Sequence, residues 1–149
     1  ALGNRSIVCQ PFPVAMKDHL NKNVKFRESF RPFAPAILDY KAKEFFKINQ
    51  ESPHMLMAVK VKDKMKKLIP AVVHVDNSSR TQTVSRKNNI KFYDLINNFY
   101  KISKIPVVVN TSFNIKGQPI VNDPKDAILC FLKYNIDHLA IGDYIVEKK

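Results

Sequence analysis

The stretch Ile105-Pro106-Val107-Val108-Val109-Asn110-Thr111-Ser112-Phe113-Asn114-Ile115-Lys116-Gly117-Gln118-Pro119-Ile120-Val121 decides how the rest of the chain is read. An unbroken apolar run behind Pro106 predicts a strand buried on both faces. It gives way to four polar residues, Asn110, Thr111, Ser112 and Asn114, after which Gly117 and Pro119 turn the chain. Open α/β sheets hold their ligands beyond the C-terminal ends of strands, so short hydroxyl and amide groups delivered there point to a binding site. Side chains alternate along a strand, which puts Ser112 and Asn114 on the same side. A turn that satisfies only its own backbone needs fewer polar groups than this.

Around that strand, 149 residues with 45% apolar content and ten Phe suffice for one domain with a packed core. Lys and Arg number 25 against 13 Asp and Glu, a formal charge of +12. Such an excess draws nucleic acid, a membrane surface or phosphorylated small molecules, although lysines on helix faces and at Lys148-Lys149 also serve solubility. Cys9 and Cys130 share no CxxC spacing and sit in apolar settings, as reduced thiols of a cytoplasmic protein do. No apolar run approaches the roughly 18 residues of a spanning segment, so no membrane association is expected. The chain opens Ala1-Leu2-Gly3-Asn4-Arg5-Ser6 without Met and is at once dense in motif-type residues, so it is expected to be a piece of a longer polypeptide.

In order, Ser6–Cys9 reads as a short strand and Met16–Asn21 as a short helix. Between Lys25 and Pro35 two prolines forbid a helix interior. Extended backbone there sets Lys25 and Arg27 opposite Phe26, predicting a buried ring and two cations aimed at one point. Ile37–Phe46 is predicted helical, Met55–Val61 a strand and Lys62–Lys67 a basic loop. Two extended pieces flank the Asp76-Asn77 turn, with Thr81 and Thr83 on one face of the second and Arg80 and Gln82 on the other. Phe92, Tyr93, Ile96, Phe99 and Tyr100 recur at helical spacing, predicting an amphipathic helix over Asn89–Ile102 beneath the sheet. Asp123-Pro124-Lys125-Asp126 supplies an N-cap, a proline at the first helical position and an acid in the first turn, opening a helix to about Tyr134. Leu139–Val146 is predicted to close the sheet. The pattern is one α/β domain without repeat or linker.

Several chemistries fall away. His19, His54, His74 and His138 lie in separate segments without metal-ligand spacing. No nucleophile elbow, phosphate loop or dinucleotide fingerprint is present, and the acids are few and dispersed. His74, two residues ahead of Asp76, reads as a half-buried strand histidine rather than an acid–base group. What remains is a cationic and polar constellation: Lys25, Arg27, Arg80, Gln82, Thr83, Ser112 and Asn114. Arginine presents a planar fork that matches phosphate oxygens, and lysine a point charge. Phosphoryl and nucleotidyl transfer need positioning and charge neutralisation more than a protein nucleophile, so the missing triad is no objection. A solvated basic face accounts for Lys25 and Arg27 as well, and the spacing alone does not choose.

Lys25-x-Arg27 with Pro32, and Thr111-Ser112-x-Asn114-x-x-Gly117-x-Pro119, resemble the K-x-R and S-x-N pair of YrdC-like domains. Around them, Ala1-Leu2-Gly3-Asn4-Arg5-Ser6-Ile7, Phe30-Arg31-Pro32-Phe33-Ala34-Pro35, His74-Val75-Asp76, Arg80-x-Gln82-Thr83-Val84 and Asn110-Thr111-Ser112-Phe113-Asn114 resemble the C-terminal domain of the nodulation-type O-carbamoyltransferases. That family includes enzymes of cephamycin and tobramycin biosynthesis, and the resemblance covers essentially the whole chain.

The resemblance implies a YrdC-like domain over residues 1–149, a twisted mixed sheet with flanking helices, as a fragment lacking the family's N-terminal metal-binding domain. It implies binding of ATP with carbamoyl phosphate, or its carbamate breakdown product, and formation of carbamoyl-adenylate. Mg2+ would arrive with the nucleotide, and this fragment would ligate no metal itself. A preceding ASKHA-type domain of the same full-length chain, similar to the Kae-type ATPase-like fold, would hold a metal and pass the carbamoyl group to an acceptor hydroxyl. By the same resemblance Lys25 and Arg27 grip phosphate and the carbamoyl oxygen. Ser112 and Asn114, with Asn110 and Thr111 beside them, bind the nucleotide phosphates or the carbamoyl end, and Arg80, Gln82 and Thr83 complete the anion clamp. Arg5 and Arg31 reach the same pocket or the domain interface. Asn77 stands where the family's turn carries glycine, a mild departure because Asn tolerates positive φ. Two alternatives remain: a threonylcarbamoyl-adenylate synthase, which shares both motif pairs, and a basic RNA-binding module. The Asn110–Asn114 wording and the Arg31–Pro35 run favour the carbamoyltransferase, and Phe26, Phe30 and Phe33 interleaved with proline read as core anchors rather than base-stacking platforms.

Overall fold

The computed structural model describes residues 2–148; Ala1 and Lys149, which belong to the opening motif and the basic terminus, lie outside the described residues. In chain order come β1 (Ser6–Cys9), α1 (Ala15–His19), a π-helical turn (Leu20–Val24), β2 (Ala34–Leu38), a 3-10 turn (Asp39–Lys41) and α2 (Ala42–Phe45). Then follow β3 (Ala58–Lys60), α3 (Asp63–Lys66), a 3-10 turn (Pro70–Val72), β4 (Ser78–Arg80), β5 (Gln82–Val84) and α4 (Ile90–Ser103). β6 (Val107–Ser112), α5 (Pro124–Lys133), β7 (His138–Ile141) and β8 (Tyr144–Glu147) complete the fold.

β6 lies inside a four-stranded mixed sheet of order β1-β6-β2-β5, antiparallel to both of its neighbours, while β5 runs parallel to β2. Both faces of β6 are covered. Val107 and Val109 join Phe33, Ile37, Phe46 and Phe131 in one core cluster. Val108 joins Ala36, Leu38, Val84, Phe92 and Ile96 beneath α4. Withdrawing each such side chain from water contributes about 1.5–3 kcal/mol, which is why a continuous apolar run, not an alternating one, encodes this strand. The predicted helix ends are present as well: Asn89 Oδ1 accepts the Phe92 N–H at 3.2 Å, and Asp123 Oδ1 accepts the Asp126 N–H at 2.9 Å.

Several expectations are corrected. Ile37–Phe46 is not one helix; Ile37 and Leu38 end β2, and only Asp39–Phe45 turns helically. β2 is an inner strand despite Pro35. Leu38 N–H donates to Pro106 O at 3.3 Å in the register Ala36↔Val108, so even-numbered amides face β6 and odd-numbered ones face the β5 side. Pairing with β5 begins only at Ala36, and the missing proline N–H falls where no ladder bond is needed. The strand expected over Met55–Val61 shrinks to β3, with Met55 at φ 57. The piece ahead of Asp76-Asn77 is not a strand: Val72 ends the 3-10 turn opened by Pro70 and residues 73–75 lie outside any helix or strand, although Asn77 takes the expected left-handed backbone at φ 63. Thr81, Gln82 and Thr83 are all buried beside an exposed Arg80, because β4 and β5 belong to different sheets and Thr81 lies between them. Leu139–Val146 does not close the main sheet; β7 and β8 form a separate hairpin through Gly142 at φ 58. Finally, Phe26 at φ 49 breaks the extended alternation, so Lys25 turns inward while Phe26 turns outward against Tyr134. Phe30 is exposed too, and only Phe33 anchors the core.

Cys9 and Cys130 are free, and burial pushes the Cys9 thiol up to about 12. Among the described residues no helix is long and apolar enough to cross a membrane.

Gly3 sets the path of the N-terminal segment across α4. Its φ is 81, and a Cβ there would fall 2.4 Å from Cδ1 of the buried Phe92 ring. Gly3→Ala is therefore expected to cost about 1–3 kcal/mol, from overpacking added to backbone strain. Gly117→Ala, also at positive φ but with open space around it, should lose only about 1 kcal/mol. Thermal melts of the two variants check the difference.

Candidate functional site

Lys25 leaves the π-helical turn with its N–H on Leu20 O at 2.8 Å, and its side chain runs into the end of β6. The Nζ group donates to Ser112 O at 2.8 Å, Asn114 O at 2.6 Å and Asn114 Oδ1 at 2.9 Å, with Ser112 Oγ at 3.4 Å. Ser112 Oγ donates to Asn114 Oδ1 at 2.5 Å, and Lys116 N–H bonds Lys25 O at 3.2 Å. The residue is 4% exposed. Its charge is thus enclosed by protein oxygens that join the K-x-R segment to the S-x-N segment.

Arg27 faces a different way. Its Nε donates to Asn21 Oδ1 at 2.7 Å, its Nη2 to Pro32 O at 3.3 Å, and its guanidinium lies 4.4 Å from the Phe33 ring centroid. These bonds use two of the five guanidinium N–H groups. Arg27 and Phe33 both border a cavity of about 260 Å3. Arg5, Arg27 and Arg80 line it together with Ser6, Pro32, Ala34, Met55, Asn110, Thr111, Ser112 and Ile120, and no Asp or Glu does.

The expected residues therefore divide. Arg5, Arg27, Arg80, Asn110, Thr111 and Ser112 share one cavity. Arg5 is steadied by its Nη1 bond to Val121 O at 3.0 Å. Asn114 meets Ser112 but lines the adjoining groove of about 650 Å3, whose wall includes Leu129, Leu132 and Tyr134. Lys25 is not among the cavity's lining residues; a direct grip on phosphate would require it to exchange bonds it already makes. Gln82 Oε1 accepts from Asn110 Nδ2 at 2.7 Å, so Gln82 acts through Asn110, and it opens with Thr83 onto a separate hollow. Thr83 Oγ1 accepts the Ser52 N–H at 2.8 Å. Arg31 stays at the surface 3.8 Å from Glu28 and does not line the cavity. His74 is partly buried in the turn rather than on a strand, and burial lowers its basicity.

Two contributions escaped the sequence pattern. Asn21 is fully buried and bonds Arg27, yet nothing in its spacing from Arg27 distinguishes it from a surface asparagine. Ile120 borders both the arginine cavity and the adjoining groove. An apolar residue after the Gly117–Pro119 turn was the only available signal.

Among the described residues no Asp or Glu forms an ion pair with Arg5, Lys25, Arg27 or Arg80. Burial, then the charge of Arg27, lowers Lys25 to about 8; burial, then Arg31, works against the Arg27 charge. An anion in the cavity relieves both. Among the described residues no three His, Cys, Asp or Glu side chains gather as a metal site.

An acid-free cavity ringed by arginines lies at the C-terminal end of a doubly covered strand of this α/β domain. The family model of the carbamoyltransferase C-terminus matches residues 1–148, and the chain belongs to that family. It is 44% identical to nodulation protein NolO of Bradyrhizobium diazoefficiens, over all of this chain and 28% of that protein. Nodulation protein NolNO of Sinorhizobium fredii is also 44% identical, over all of this chain and 22% of its own length. Nodulation protein U of Rhizobium tropici is 42% identical, over all of this chain and 25% of its own. The chain thus spans about a quarter of the length of these curated relatives.

The Lys25 titration has a definite sign. Its folded value near 8 lies below the ordinary 10.5, so the folded protein releases this proton first as pH rises. From about pH 8 to 10.5 the unfolded chain holds more protons here, and this group's contribution to stability rises with pH across that window. Carbon-13 NMR of lysine Cε is expected to show a transition near pH 8 that Lys25→Met removes. Saturating inorganic phosphate should move it upward, because an anion favours the ammonium.

Proposed function

We propose that this domain binds ATP and carbamoyl phosphate and forms carbamoyl-adenylate for O-carbamoylation of a hydroxyl acceptor. Arg5, Arg27 and Arg80 around one acid-free cavity beside Ser112 carry the reading. Water first cleaves carbamoyl phosphate to carbamate and inorganic phosphate; a carbamate oxygen then attacks the α-phosphorus of ATP and pyrophosphate leaves, a step that brings two anions together. Each cation about 4 Å away offsets that repulsion by roughly 1–4 kcal/mol, depending on local dielectric. Arg27 is suited to the task because Asn21 and Phe33 fix its plane before any ligand arrives. Lys25 holds the Ser112–Asn114 turn and keeps a further charge one residue behind the wall.

Pockets for drug-sized ligands and cofactors span roughly 300–1,000 Å3. At about 260 Å3 the arginine cavity takes the phosphate and carbamoyl end, and the nucleoside extends past Ile120 along the larger groove. Mg2+ travels with the nucleotide. Transfer to the acceptor belongs to the rest of a longer chain, an ASKHA-type domain with its own metal, in keeping with the quarter-length share of the relatives. An ATP-consuming role of this kind belongs in the cytoplasm.

Calorimetric titration with carbamoyl phosphate, with and without ATP, tests the proposal. Arg27→Ala and Arg80→Ala are each expected to weaken binding about tenfold or more, since a charge-assisted hydrogen bond contributes about 1.5–3 kcal/mol, while circular dichroism stays unchanged. Unaltered titration in both variants removes the arginine cavity from the site. Pyrophosphate release with threonine and bicarbonate, but not with carbamoyl phosphate, would identify a threonylcarbamoyl-adenylate synthase instead.

A further inference from the structure

We infer that Asn21 is a positioning residue for anion binding: its side-chain amide sets the plane of Arg27 and the loop that closes over it. The inference rests on Arg27 being an anion ligand, as proposed above. Asn21 is 0% exposed, and both polar atoms of its side chain are engaged. Oδ1 accepts the Arg27 Nε–H at 2.7 Å, while Nδ2 donates to Ser29 O at 3.2 Å and Arg31 O at 3.0 Å. Its main-chain carbonyl also accepts the Arg27 N–H at 3.0 Å. One residue therefore holds both ends of Arg27 and two carbonyls of the following loop.

The chemistry is particular to asparagine. The task needs one acceptor and two donors on a short stem. Aspartate keeps the acceptor but turns an anion toward two carbonyl oxygens. Alanine leaves those carbonyls and the guanidinium edge without partners. A guanidinium bonded at Nε and flanked by Phe33 has its remaining N–H groups fixed in direction, which lowers the ordering cost of gripping a phosphate. Without Asn21 the same charge would be held only by the Pro32 carbonyl and the Phe33 face, with its Nε edge unpaired.

A double-mutant cycle on the full chain separates positioning from simple structural support, with carbamoyl phosphate as the probe in calorimetry. Asn21→Ala is expected to weaken binding about tenfold. In an Arg27→Ala background the same change should matter less than twofold, because the guanidinium it orients is gone. Asn21→Ser, which leaves room for a water and retains a hydroxyl, gives the same cycle if the alanine variant does not fold. Full multiplication of the two losses, or wild-type affinity in folded Asn21→Ala or Asn21→Ser, overturns the positioning role. Wild-type affinity in Arg27→Ala overturns the reading of Arg27 itself, and the inference with it.

Discussion

A buried ammonium needs oxygen around it, and that requirement joins the two halves of this site. Lys25 and the Ser112–Asn114 turn are 87 and 89 residues apart in sequence, yet their four contacts leave the lysine almost no exposure. The turn is fixed because it continues β6, which is pinned by core on both faces. The lysine passes that position on to the segment carrying Arg27. Such an arrangement does little for net stability, since withdrawing the charge from water offsets most of the gain from the bonds. Its value lies in register: two carbonyls, a hydroxyl and an amide oxygen converge on this one cation.

Lysine and arginine consequently divide the work that the K-x-R spacing suggested they share. A lysine ammonium is a compact donor that three protein oxygens can saturate. A guanidinium has five N–H groups in a plane, so it can be held by two bonds and an aromatic face and still present others. Phe26 makes the separation possible. Its left-handed backbone, uncommon for a bulky residue, sends consecutive side chains along paths that a strand would not allow.

That single dihedral marks the limit of what the sequence disclosed. β6, α4 and α5 were legible because each combines a strong periodicity or apolar run with end signals that act locally, such as the Asn89 and Asp123 caps. The meeting of Lys25 with Ser112 and Asn114 was legible from motif resemblance, whereas the separation of Arg27 from Asn114 was not. The inner placement of β2 was not, because its tolerance of Pro35 depends on where the β5 ladder happens to begin. Nor was the β7–β8 hairpin, whose alternation suits any sheet edge and does not say which sheet. Asn21 was hidden for another reason: burial of an amide is decided by the loop that folds over it, and no period encodes that.

Asn110 shows how the polar end of β6 differs from an ordinary strand end. It is 2% exposed, donates to Gln82, and its Oδ1 has no partner among the described residues. An unmet buried acceptor costs about 1–3 kcal/mol, and uncompensated cationic charge beside it adds to the burden. A fold concerned only with stability would place apolar residues here, as it does three positions earlier at Val107. The unrelieved charge gives anion binding a thermodynamic consequence beyond occupancy. Whatever neutralises Arg5, Arg27 and Arg80 stabilises the folded state by RT ln(1 + [L]/Kd), and it does so at the junction where Lys25 ties the two segments together. Ligand affinity and the rigidity of the Ser112–Asn114 turn are therefore one linked equilibrium, since the charge that resists burial in the empty cavity is the charge that an anion requires.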